Sequence, residues 1–108
     1  MNEQEFTQLA DAELAALEAA LEACGGDFDL ETKPGGILEL ECPNGSKIII
    51  NRHMAAREIW VAARSGGFHF ACCEGQWRSG RDNSELWETV RRCVEDQTGE
   101  PVSLTTYR

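Results

Sequence analysis

Apolar residues recur at three- and four-residue steps through the first quarter of the chain. Phe6, Ala10, Leu14, Leu17, Leu21 and Cys24 fall on one stripe, and the spacing predicts a helix over 3–24. Ala, Leu and Glu dominate that segment, all favourable in helices, and Gly25-Gly26 stops it. The period then changes. Residues 27–33 alternate, Pro34-Gly35-Gly36 turns the chain, and 37–42 runs back. Pro43-Asn44-Gly45 is a hairpin signal, followed by the β-branched run KIIINR over 47–52. Strands are expected at 57–64, 68–73 and 76–79, with turns at Ser65-Gly66-Gly67 and Glu74-Gly75. A last helix is expected from about Ser84 to Thr98. Asp82, Asn83 and Ser84 are competent N-caps, Leu86, Val90, Cys93 and Val94 form the buried stripe, and Gly99 ends it.

Each helix has one apolar stripe, and short connections favour antiparallel neighbours. The economical arrangement is an α+β fold: a two-layer α/β sandwich with about six antiparallel strands and both helices on one sheet face. The other face is left to water or to a partner. With 108 residues, a single domain spanning 1–108 is expected. No apolar run reaches membrane-span length, and MNEQEF lacks the basic and apolar regions of a signal peptide. A soluble cytoplasmic protein without a membrane partner is expected.

Charge changes this picture. Residues 1–31 hold nine of the 19 acids and none of the ten Lys and Arg residues, so the net charge of −9 arises entirely in the first third. Nucleic acid is disfavoured as a partner, because phosphate contacts need cations. At about 100° per residue, Asp11, Glu18 and Glu22 fall within about 40° of one another on a border of the helical stripe. In DFDLE, Asp27, Asp29 and Glu31 alternate with the apolar Phe28 and Leu30. The tight Gly25-Gly26 link returns the strand close to the helix, which would join both acidic rows in one ridge. Carboxylates crowded in this way repel one another, and their oxygens suit hard cations held weakly with open coordination. On the residues alone, a solvated face or a docking surface for a basic protein is the more ordinary reading of the same positions. DFDLE is not an EF-hand loop: Thr32 stands where the invariant Gly belongs and Leu38 where the bidentate Glu belongs.

In REIWVAAR, Ile59, Val61 and Ala63 share one face and outvote Trp60, which is expected on the open sheet face, with Asn51 and His69 as possible neighbours. An exposed Trp among polar residues is a typical protein-contact anchor. His53 reads as an ordinary loop residue. No Ser-His-Asp or Cys-His set is legible. The five cysteines lack CxxC spacing, and four of them read as core.

NGSKIIINR (Asn44–Arg52), IWVA (Ile59–Ala62), SGGFHF (Ser65–Phe70), the following Trp77 and the N-terminal EF..LAD (Glu5–Asp11) together resemble the bacterial frataxin family. The resemblance runs in order through essentially the whole chain. It implies an acidic ridge on the first helix and strand that binds ferrous and ferric iron modestly, here Asp11, Glu18, Glu22, Asp27, Asp29 and Glu31. It implies a monomer without metal that takes part in iron–sulfur cluster assembly, binding the cysteine desulfurase and scaffold protein. Glu18, Glu22, Asp27, Asp29, Asn51, Trp60 and His69 would form the contact surface. An iron-independent acidic adaptor or inhibitor of the desulfurase is the alternative. No enzyme activity is expected, since no dedicated di-iron site for ferroxidase chemistry is legible. This chain departs from the family at Ala19, Ala23 and Gly25, often acidic, at Thr7, where a ridge His can occur, and at His53 and Ala55, usually Gln and Pro.

Overall fold

The structure, a computed structural model, describes residues 1–104; residues 105–108 of the expected domain lie outside the described residues. Helix α1 spans Glu3–Ala23, six strands follow, and helix α2 spans Leu86–Thr98. The strands are β1 (Asp29–Lys33), β2 (Ile37–Glu41), β3 (Lys47–His53), β4 (Glu58–Ala63), β5 (Gly66–Cys73) and β6 (Gln76–Arg78). They form one antiparallel meander in sequence order, as short turns dictate.

Alternation sorts the sheet into two faces. Leu38, Leu40, Ile48, Ile50, Ile59, Val61, Phe70 and Trp77 are buried on one. Against them pack Phe6, Leu14, Leu17 and Leu21 of α1 and Leu86, Val90 and Val94 of α2. Both helices therefore cover the same face, as the single stripes require. Phe6 meets Trp77 edge-on at 6.1 Å. The helix-layer side of the core also holds polar groups that the apolar stripes do not reveal. Glu13 is 7% exposed, and its Oε2 accepts from Trp87 Nε1 at 2.5 Å. Gln97 of α2 donates to Ser46 Oγ (2.8 Å) and the Lys47 carbonyl (3.2 Å), and accepts from Arg64 N–H (2.9 Å). It staples the end of α2 to two hairpin turns.

Several boundaries differ from the periodicity. Asp27 and Phe28 form a bend ahead of β1. Gly66-Gly67 belongs to β5, so the β4–β5 turn is Arg64-Ser65. The N-cap of α2 is Glu85, whose carboxylate accepts from Trp87 N–H and Glu88 N–H. Asp82 instead accepts from Ser84 N–H and Oγ, which fixes the preceding turn and draws its own pKa below the usual carboxylate value. Cys42 and Cys93 are buried, Cys24 and Cys72 partly so, and Cys73 is exposed; all five are free thiols.

Candidate functional site

The acidic positions divide into two groups because α1 and the open sheet face lie on different layers. On α1, Asp11 pairs with the Arg52 guanidinium. Arg52 belongs to the helix-side parity of β3 and crosses over Gly36 to reach α1. A methyl on Gly36 would stand 2.5 Å from Arg52 Nη1 and 2.8 Å from its Cγ, and Gly36 has φ +77°. Glycine is therefore required twice there, for the turn and for the close approach. Arg52 N–H also donates to the Gly36 carbonyl at 3.0 Å. A groove of about 230 Å³ is lined by Asp11, Glu18, Thr32, Lys33, Gly36 and Arg52 among others. Those six include two acids and two bases, so the charge of Asp11 and Glu18 is offset nearby.

Glu22 is exposed near the end of α1, and Asp27 sits exposed in the bend. Asp29 and Glu31 point to the open face of edge strand β1, opposite in parity to Leu30. Asp27, Asp29 and Glu41 share a second groove of about 280 Å³ with Cys42 and Pro43. On the same face Lys33 and Lys47 flank Glu39 at 3.3 and 3.6 Å. The Lys33 hydrogen bond, opposed by some desolvation and aided by Lys47, holds the Glu39 carboxyl below its ordinary value.

Pairing thins the nine N-terminal acids. Glu3 meets Arg57 at 3.9 Å, Glu5 closes the capping box with Asn2, Asp11 holds Arg52 and Glu13 holds Trp87. Among the described residues, Glu18, Glu22, Asp27, Asp29 and Glu31 have no ion pair. Nor do three or more His, Cys, Asp or Glu side chains converge to hold a metal ion among the described residues. The acidic surface thus offers scattered carboxylates rather than a formed chelate.

The centre of the open face is more ordered. Strand register sets Lys33, Ile37, Asn51, Trp60 and His69 side by side across β1 to β5. Asn51, Trp60 and His69 are brought together as the alternation suggested. His53 is not a loop residue: it ends β3 and shares the parity of Asn51. Its ring stacks on Trp60 at 3.8 Å and 10°, while His69 stacks on the opposite indole face at 4.1 Å and 9°. Trp60 Nε1 donates to Glu58 Oε1 at 2.9 Å, and that oxygen lies 3.9 Å from His69 Nδ1. His53 Nδ1 accepts from Ala56 N–H at 3.3 Å. The parity of KIIINRH carried a signal for His53; the roles of Glu58 and Arg52 required the register.

Elsewhere reactive chemistry is muted. Burial pushes the Cys42 and Cys93 thiols above the usual range, away from thiolate reactivity.

Comparison with known proteins places this geometry among others. Residues 1–100 match the frataxin-like domain family. The chain is 52% identical over 104 residues to an iron–sulfur cluster assembly protein CyaY from Dechloromonas aromatica, covering 96% of this chain and 99% of that one. A CyaY of the same description from Vibrio cholerae is 42% identical, covering 94% and 97%. Frataxin from Psychromonas ingrahamii superposes with a TM-score of 0.89 at 32% identity, covering 97% and 99%. A trimeric frataxin from Saccharomyces cerevisiae, complexed with ferrous, superposes at 0.66 with 28% identity, covering 89% and 87%.

Proposed function

This chain belongs to the frataxin-like family, and from that premise we propose that it is an iron-binding regulator of iron–sulfur cluster assembly. In this reading it acts in the cytoplasm, as a monomer without metal. It binds the cysteine desulfurase and scaffold complex and either supplies iron or tunes the assembly rate. Its role is binding, with no turnover of its own. The description of its bacterial relatives as cluster assembly proteins supports the setting. The observation that carries the chemistry is the set of five carboxylates without an ion pair among the described residues, Glu18, Glu22, Asp27, Asp29 and Glu31.

Carboxylate oxygens favour hard cations, and scattered exposed ones release them readily, which suits delivery or sensing over permanent storage. The same charge steers a basic protein surface toward this end of the molecule. Asn51, Trp60 and His69 continue the surface along the open sheet face and supply the apolar anchor for the scaffold. A second reading, an iron-independent acidic adaptor or inhibitor of the desulfurase, draws support from the absence of a converged three-ligand group among the described residues.

Amide NMR titrations with ferrous iron under anaerobic conditions, and separately with the desulfurase, test both. Perturbation of residues 11–31 by each supports one surface for metal and protein. A response to desulfurase alone selects the adaptor. Silence in both titrations rejects both readings.

A further inference from the structure

We propose that His53, His69 and Glu58 are positioning residues that clamp Trp60, so that the open face docks through the rim of the indole and not through its flat faces. The inference rests on the docking reading above and specifies how that surface engages its partner.

An indole exposed on a sheet ordinarily offers two π faces and one N–H donor. Here all three are already used within the chain. Imidazoles cover both faces at 3.8 and 4.1 Å, with interplanar angles of 10° and 9°. Those spacings leave no room for a third ring or a guanidinium against either side. Nε1–H is donated to Glu58 at 2.9 Å. What remains for a partner is the carbon rim of Trp60, bordered by the edges of two imidazoles. The surface therefore fits an aliphatic or sulfur-bearing side chain packed against the rim. It does not fit an arginine stacked on the indole.

The clamp also fixes the indole before docking. Three groups from three strands hold one rotamer, so little side-chain freedom is left to lose on association. His53 is the informative member, because it contributes the stack on one face and lies at the end of β3, outside the core.

Three variants decide the matter: His53→Ala, His53→Phe and Trp60→Ala. Each is read for affinity to the desulfurase–scaffold complex. In ¹⁵N-labelled protein the Trp60 indole N–H resonance is followed, assigned by its loss in Trp60→Ala, and urea unfolding confirms that each variant folds. Trp60→Ala is expected to weaken binding by at least roughly tenfold. His53→Ala is expected to shift or broaden the indole resonance and weaken binding by roughly fivefold. His53→Phe, which keeps a ring and removes the imidazole, is expected to restore both to within about twofold. Wild-type binding by His53→Ala alongside weakened Trp60→Ala overturns the clamp and leaves the docking surface standing. Weakened binding with an unmoved indole resonance, or a restored resonance without restored binding, shows direct contact by the imidazole and also overturns it. Wild-type binding by both alanine variants rejects the docking reading itself.

Discussion

Replacing Glu13 by alanine separates a buried carboxylate from the exposed ones around it. Eight of the nine acids in residues 1–31 are exposed or partly so, but Glu13 lies under α1 with its oxygen on the indole N–H of Trp87. Loss of that acceptor leaves a buried donor unsatisfied and opens space between the two helices. Such losses cost about 1–3 kcal/mol. Glu13→Ala should therefore lower the urea-unfolding free energy by that amount. Glu13→Gln, which keeps an acceptor oxygen, should lower it by less than about 1 kcal/mol. Equal losses in the two variants would show that the Trp87 bond contributes little. Sequence pattern alone counts Glu13 with the other helical acids. Its partner Trp87 lies on the second helix, 74 residues away.

At the level of elements, the capping of α2 is the most testable feature. Glu85 accepts from the N–H groups of Trp87 and Glu88, two donors that have no partner within the helix. Glu85→Ala should destabilise the protein by about 1 kcal/mol. Asp82→Ala acts on the turn instead, so its effect should be smaller in the same urea experiment; a larger effect would make the turn the dominant stop. Much of the element plan was legible beforehand, because a 3.6-residue period in α1 and alternation in β2 to β4 are direct images of burial. The α2 cap was misplaced because Asp82, Asn83 and Ser84 outrank Glu in intrinsic preference, yet the Arg78–Glu85 bridge carries the chain extended past them. Trp60 was placed on the open face by counting apolar neighbours. Its two imidazoles emerge only when β3, β4 and β5 are set in register. The Arg52–Asp11 pair is equally invisible to periodicity, since it joins β3 to α1 across the glycine of another turn.

For the molecule as a whole, the placement of charge sets stability against function. The end of α1 and the start of β1 carry like charges, and Glu18, Glu22, Asp27, Asp29 and Glu31 have no ion pair among the described residues. Repulsion among them opposes the folded state and is screened over about 10 Å at moderate salt. Neutralising four of them together, Glu18→Gln, Glu22→Gln, Asp27→Asn and Asp29→Asn, should raise unfolding stability by about 1 kcal/mol at low salt. In a domain of this size that is a rise in Tm of about 4–8 °C. The same variant should lose desulfurase binding and ferrous-iron perturbation of residues 11–31. Added salt gives an independent check: the wild-type Tm should rise with sodium chloride, and the neutralised protein should respond less. Stabilisation together with lost binding is the signature expected of a surface kept for its partners at the expense of the fold. A fall in Tm on neutralisation would instead give these acids a structural role, and unchanged binding at low salt would move the docking surface away from the ridge.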